Sequence, residues 1–180
     1  MRHTILFLAT LTACSGSETV PDIPSGSVPV PFLNLNALFG GERIRNNWTG
    51  GQSRQVVHNQ AEWNQLFQTV TGDPAPAIDF TGQNAFFATT GVKIITGHDI
   101  VIDEMWKAQD GWLYIVVRSV SPGGACGGQS LTNSPVTAVL SISEYTAVRW
   151  LERQSIDQCT ESSAQNSKGK VQSGKGRGQR

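Results

Sequence analysis

Residues 108–122 read AQDGWLYIVVRSVSP, and this stretch decides the fold. Asp110-Gly111 is a two-residue hairpin signal, because both residues accept the positive φ that a tight turn with the right twist requires. From Trp112 to Val120 the chain is rich in Trp, Tyr, Ile and Val, whose branched or aromatic side chains fit a pleated, half-buried surface. The run before the turn, KIITGHDIVIDEMWKA from Lys93 to Ala108, has the same composition. The two runs therefore read as an antiparallel pair.

Working outward, three more runs share these features: NAFFATT (84–90), PVTAVLSISE (135–144) and TAVRWLERQS (146–155). Gly, Pro or Asp-Gly separates one from the next, the punctuation expected of short strands. Period 2 places Ile100, Ile102 and with them Glu104 on one face, Val101 and Asp103 on the other. A single segment has helical period. In NQAEWNQLFQTVTG (59–72), Asn59 and Glu62 form a capping-box pair, Trp63, Leu66, Phe67 and Val70 fall on one stripe, and Gly72 stops the helix. The expected fold is thus β-rich α+β, an antiparallel sheet or sandwich of short strands with one amphipathic helix packed on it through Trp63, Leu66 and Phe67. The stretch between residues 32 and 58 reads either as an extended edge segment or as a short helix lying on the domain.

The ends of the chain differ from its middle. Residues 1–14, MRHTILFLATLTAC, combine a charged start with an apolar run too short to span a bilayer and small residues before a cysteine. That is a secretory signal. The tetrapeptide Leu11 to Cys14 resembles the lipobox of bacterial lipoproteins, which implies that residues 1–13 are removed and that Cys14 bears the lipid. Ser15 in place of an Asp favours the outer membrane over the inner one. Residues 14–31, rich in Pro, Ser and Gly, read as a flexible tether, and the globular domain is expected over residues 32–160. Residues 161–180 have almost no apolar content and read as a disordered basic tail containing Lys168, Lys170, Lys175, Arg177 and Arg180. The net charge of the whole chain is zero. The body is therefore net negative, which argues against a nucleic-acid partner.

Two cysteines remain after Cys14, namely Cys126 in the loop PGGACGGQSLTNSP (122–135) and Cys159. In an exported chain an even pair is expected to form a disulfide, worth about 3–4 kcal/mol through the denatured-state entropy it removes. Reactive thiols, or cysteines left unpaired or paired between molecules, are the alternatives. No residue near Cys126 in sequence would lower its pKa as a nucleophile needs. The chain has no G-x-S-x-G elbow, no metal-ligand spacing such as C-x-x-C, and no phosphate-loop Lys after its glycines. His98 and Asp99, the most enzyme-like pair, would point to opposite faces of a strand. No catalytic residue, cofactor or metal is expected.

The order VVHNQAEWNQLF, AIDFTGQNAFFATTGVKIITGHDIVID, WLYIVV, SPGGACGGQSLTNSP and VTAVLSI resembles the C-terminal domain of the protease complex subunit family PrcB. The resemblance runs from about Gln55 to Ser143. It rests on Asp79-Phe80, Gly91, Lys93, Thr96, Gly97, Ile100, Ile102, Pro122, Cys126, Thr132 and Pro135. Where that family has Gly-Gly-Tyr after the Lys, this chain has IITGHD, with His98 in the aromatic's place. The resemblance implies an exported β-rich domain on a lipoprotein that supports a protease without being one.

The expected function is therefore a non-enzymatic lipoprotein of the bacterial envelope that binds an exported protease or another envelope protein. Its expected contact residues lie in two Gly-rich loops: Lys93, Thr96, Gly97 and His98 in one, Gly124, Gln129 and Thr132 in the other. Loops accept an approaching backbone and bear recognition more often than strands do. The alternative is an envelope domain that binds a glycan or small ligand through Trp106 and Trp112 beside the hairpin.

Overall fold

A computed structural model describes residues 22–40, 48–124, 126 and 128–158. Cys14, Cys159, the signal segment, most of the tether and the basic tail lie outside these residues. Among the described residues eight strands form two sheets. They are β1 (Val28–Pro29), β2 (Phe32–Asn34), β3 (Ser53–Val57), β4 (Gln83–Thr89), β5 (Asp99–Lys107), β6 (Trp112–Pro122), β7 (Val136–Ile142) and β8 (Ala147–Asp157). One sheet has the order β1-β5-β6-β8 and the other β2-β7-β4-β3. Helix α1 (Gln60–Thr71) and a 3-10 turn (Asn36–Phe39) complete the domain. The expected β-rich α+β class is borne out, in its sandwich form.

The sheets stack face to face, with α1 as a third layer. Phe86, Ala88 and Val139 of the middle sheet meet Ile100, Ile102, Met105, Leu113, Ile115 and Val117 of the other sheet. On the opposite side of the middle sheet, Val57, Ala85, Phe87, Ala138 and Leu140 pack under Trp63, Leu66, Phe67 and Val70 of the helix. Strand β4 is thus covered on both faces. That is why NAFFAT reads as a continuous apolar run rather than an alternation. Phe39 joins this core from the 3-10 turn and stacks on Phe67 with ring centroids 5.3 Å apart. The helix starts as its sequence requires. Asn59 Oδ1 accepts from Glu62 N at 3.0 Å, and Glu62 Oε2 accepts from His58 N at 2.7 Å.

Four expectations need correction. The helix lies on the β3-β4-β7 sheet, and the sheet holding Ile100 and Ile102 meets the back of that sheet instead. The Asp-Gly turn spans Ala108 to Gly111, four residues rather than two, with Ala108 N donating to Trp112 O at 2.9 Å and Gly111 at φ 85°. Glu104 does not share the face of Ile100 and Ile102. A register shift between Ile102 and Glu104 puts Glu104 opposite Val116 on the outer face. The tether also ends earlier than residue 31, since Val28 and Pro29 pair with Lys107 and Trp106 and Val30 is buried in the core between the sheets.

Strand β8 runs parallel to β6, from Trp112↔Ala147 to Pro122↔Asp157. Strand β7 lies in the other sheet, so the chain leaves β6, crosses to the second layer and returns. The β6–β8 pair is the one parallel ladder among the described strands.

Candidate functional site

The chain segments between β4 and β5 and between β6 and β7 meet at one end of the sandwich. Lys93 and Asn133 form an antiparallel bridge, Lys93 N donating to Asn133 O at 2.7 Å and Asn133 N to Lys93 O at 2.9 Å. Two further bonds tie the loops: Thr96 N to Gln129 O at 3.0 Å, and Gln129 N to Thr96 Oγ1 at 3.0 Å. Gly97 sits at φ 95°, and a Cβ there would lie 3.1 Å from Pro122 Cβ. The two Gly-rich stretches singled out from the sequence are therefore one paired structure. Lys93, Thr96, Gly97 and Gln129 build its framework, and Gln129, Gly124 and Thr132 are exposed.

Large apolar side chains of these loops are exposed. Val92 is 41%, Ile94 71%, Ile95 43% and Leu131 43% exposed. All four lie within the two Gly-rich loops expected to make contact, though none was among the residues singled out there. Their signal in the sequence is a β-branched run, Val92 to Ile95, that reads as strand interior until the Lys93–Asn133 bridge shows it to be a loop.

The same end is fastened to β3. Gly91 has φ 75°, and a Cβ built on it would meet the Gly51 carbonyl carbon at 2.7 Å. The Ser134 hydroxyl donates to Trp48 O at 2.8 Å, and Thr89 Oγ1 donates to Pro135 O at 2.8 Å. His98 stands beside Lys93. Partial burial holds its pKa below the ordinary value of 6.5, the Lys93 charge lowers it further, and a hydrogen bond to Val120 opposes both. Asp79, in the loop before β4, accepts from Thr81 N at 2.8 Å, and its carboxyl is held below the usual range by that bond.

Cys126 is half-buried at the base of the second loop. Its backbone N donates to Gly123 O at 2.9 Å, and its sulfur lies 3.2 Å from the backbone carbonyl of Asp157 at the end of β8. Asp157 O also accepts from Gly123 N at 3.0 Å. The loop base and the last strand are thus joined two residues before Cys159.

A second surface lies on the outer face of the β1-β5-β6-β8 sheet. Here the bulge brings Asp103 and Glu104 to one side. Asp103 takes a two-pronged contact from Arg118, at 2.6 and 2.9 Å. Arg153 reaches both Asp103, at 3.8 Å, and Glu104, at 3.5 Å. Trp106 Nε1 donates to Glu104 Oε2 at 2.8 Å. Trp106 stands opposite Tyr114 in the register, and Trp112 shares their face two residues along β6. Trp106 is half-buried and Trp112 exposed. Among the described residues no group of three or more His, Cys, Asp or Glu side chains converges on a metal-sized site, and no helix is long and apolar enough to cross a membrane.

Compared with protein-family models, with curated proteins and with solved structures, the chain matches none.

Proposed function

We propose that this chain is a non-enzymatic exported lipoprotein, held to the bacterial envelope through lipid on Cys14, that binds another envelope protein through the paired loops 90–98 and 123–135. The observation that supports this reading is the exposure of Val92, Ile94, Ile95 and Leu131 on a backbone already fixed by reciprocal hydrogen bonds. Several large apolar side chains exposed on two loops that are bonded together make that loop pair a candidate contact site. A preordered loop also loses little entropy when it is buried. The partner class we assign is an exported protease, on the sequence resemblance to the protease complex subunit family, with this chain as the accessory subunit. The outer membrane is the proposed location. A Cys126–Cys159 disulfide would close the loop base onto β8, and the approach of the Cys126 sulfur to Asp157 supports it.

The test is co-purification of the tagged, lipidated chain from its own detergent-solubilised envelope, with a protease assay on the eluate. The expected result is a stoichiometric exported protease that is absent when Ile94→Asp and Leu131→Asp are combined. Recovery of the wild-type chain alone, without protease activity, would reject the reading.

A second reading, a glycan-binding domain, is favoured by one observation. Trp106, half-buried, and Trp112, exposed, share the outer sheet face beside an array of charged groups, with Tyr114 of the same face buried. Aromatic faces with polar neighbours suit a sugar ring. Saturable quenching of tryptophan fluorescence by envelope glycans, lost in Trp112→Ala, is what this reading expects.

A further inference from the structure

We propose that the groove between α1 and the free edge of β3 takes an extended peptide segment of a partner protein as an added strand. This surface is separate from the loop pair, and its test does not depend on that one. Among the described residues strand β3 ends the β2-β7-β4-β3 sheet and pairs with β4 alone. Among the described residues nothing pairs with its other edge. An edge of this kind presents backbone N–H and C=O groups at every second residue, and only another extended backbone matches that spacing. Natural sheets guard such edges with Lys, Pro or a bulge. SRQVV has no Lys or Pro, and β3 pairs with β4 without a register shift. Its one charged side chain, Arg54, reaches Glu152 of the other sheet at 2.8 Å and donates to the first carbonyl of the strand, Ser53 O, at 2.8 Å, so the edge open to a partner runs from Gln55 onward.

The space beside this edge is already shaped. A cavity of about 380 Å³ lies between β3 and α1, within the range that holds ligand side chains. Glu62, Gln65, Leu66 and Thr69, spaced as one helical stripe, form its helix wall. Gln55 lines the strand side and Trp48 completes the wall. Trp48 is held from three directions: its Nε1 donates to Gly51 O at 3.0 Å, its carbonyl accepts from Ser134, and its ring lies 5.9 Å from that of Phe87. Little of the wall needs ordering when a ligand enters.

The chemistry of the wall selects among peptides. Its single charged group is Glu62, whose oxygens accept from His58 N and Asn59 Nδ2, and the other polar groups are two amides and a hydroxyl. An acidic segment would bring like charge to Glu62. The occupant that fits is an extended segment, uncharged or basic, with every second side chain directed into the groove.

The test uses the full mature chain in detergent and a displayed library of linear twelve-residue peptides, followed by fluorescence anisotropy on the selected peptides. Three results are expected. Selected peptides lack acidic residues at alternate positions. Gln65→Trp, an exposed substitution that fills the groove, weakens their binding at least tenfold while leaving the melting temperature unchanged. N-methylation of the peptide backbone weakens binding about tenfold at every second residue and leaves it unchanged at those between, the loss that a removed hydrogen bond predicts. No enrichment of any peptide would overturn the proposal, whether the groove takes a small ligand or another part of this chain. So would affinity indifferent to Gln65→Trp, or an N-methylation profile that does not alternate.

Discussion

Replacing Gly91 by Ala tests how the loop pair is fastened to the sandwich, because two separate penalties meet at that residue. Gly91 has φ 75°, a conformation that costs an L side chain about 1–2 kcal/mol. The new Cβ would also stand 2.7 Å from the Gly51 carbonyl carbon and 2.9 Å from Gln52 N, both backbone atoms that cannot rotate aside. Moving packed backbone by a few tenths of an ångström costs a further 1–3 kcal/mol or so. The expected destabilisation is therefore about 2–5 kcal/mol. Two other glycines separate the terms. Gly82, at φ 66° with nothing within 4 Å of its Cβ position, meets only the conformational cost, about 1–2 kcal/mol. Gly51 has open space around its Cβ position and lies outside the positive-φ region, so its Ala variant should lie within about 0.5 kcal/mol of wild type. Urea unfolding of the three variants, with equal m-values, gives the order. A Gly91→Ala loss no larger than that of Gly82→Ala would show that the loop and residues 51–52 are not in contact, and the argument for a fastened loop would fail.

The remaining predictions concern charge, pH and the staple. Asp103→Asn should cost about 2–3 kcal/mol in urea unfolding, since Arg118 and Arg153 would lose a partly buried counter-charge. Glu152→Gln should cost about 1–2 kcal/mol: the carboxylate is 42% exposed, but it takes two bonds from Arg54, whose side chain is 10% exposed. Unchanged stability in either variant would contradict the pairing of these carboxylates with their arginines. For His98 the sign follows from its lowered pKa: the unfolded chain binds the proton first, so stability falls as pH drops from 6.5 through the lowered folded value. His98→Gln should flatten that part of the pH profile, and Lys93→Met should move the His98 imidazole resonance titration upward; an unchanged titration would exclude the Lys93 contribution. Alkylation of the unreduced, folded mature chain should leave Cys126 and Cys159 unmodified, and reduction should lower stability by about 3–4 kcal/mol. Two alkylated thiols before reduction would remove the staple.

Much of the sandwich is legible because its rules are local. The cap at Asn59, the stripe from Trp63 to Val70 and the stop at Gly72 follow from helical period alone, and the strands after it are rich in branched and aromatic residues between Gly and Pro. What stays hidden depends on partners. Nothing within TAVRWLERQS distinguishes a parallel from an antiparallel neighbour, since that is set by β7 crossing to the other layer. The Ile102/Glu104 bulge defeats a period-2 count, so the pairing of two adjacent acids with Arg118 and Arg153 is visible only in register. The loop residues Lys93, Thr96, Gly97 and Gln129 were identified from glycine content, whereas the exposed large apolar side chains of the same loops are Val92, Ile94, Ile95 and Leu131. A branched apolar run looks the same in sequence whether a sheet or another loop receives its backbone.

The most direct test of the interaction reading is site-specific photo-crosslinking in the intact envelope, with a photoreactive residue at Ile94, at Leu131 or, as control, at the exposed helix position Gln68. The account predicts one discrete heavier species, an exported protease, from Ile94 and Leu131 and none from Gln68. Adducts equally strong from Gln68, or none from either loop, would contradict it.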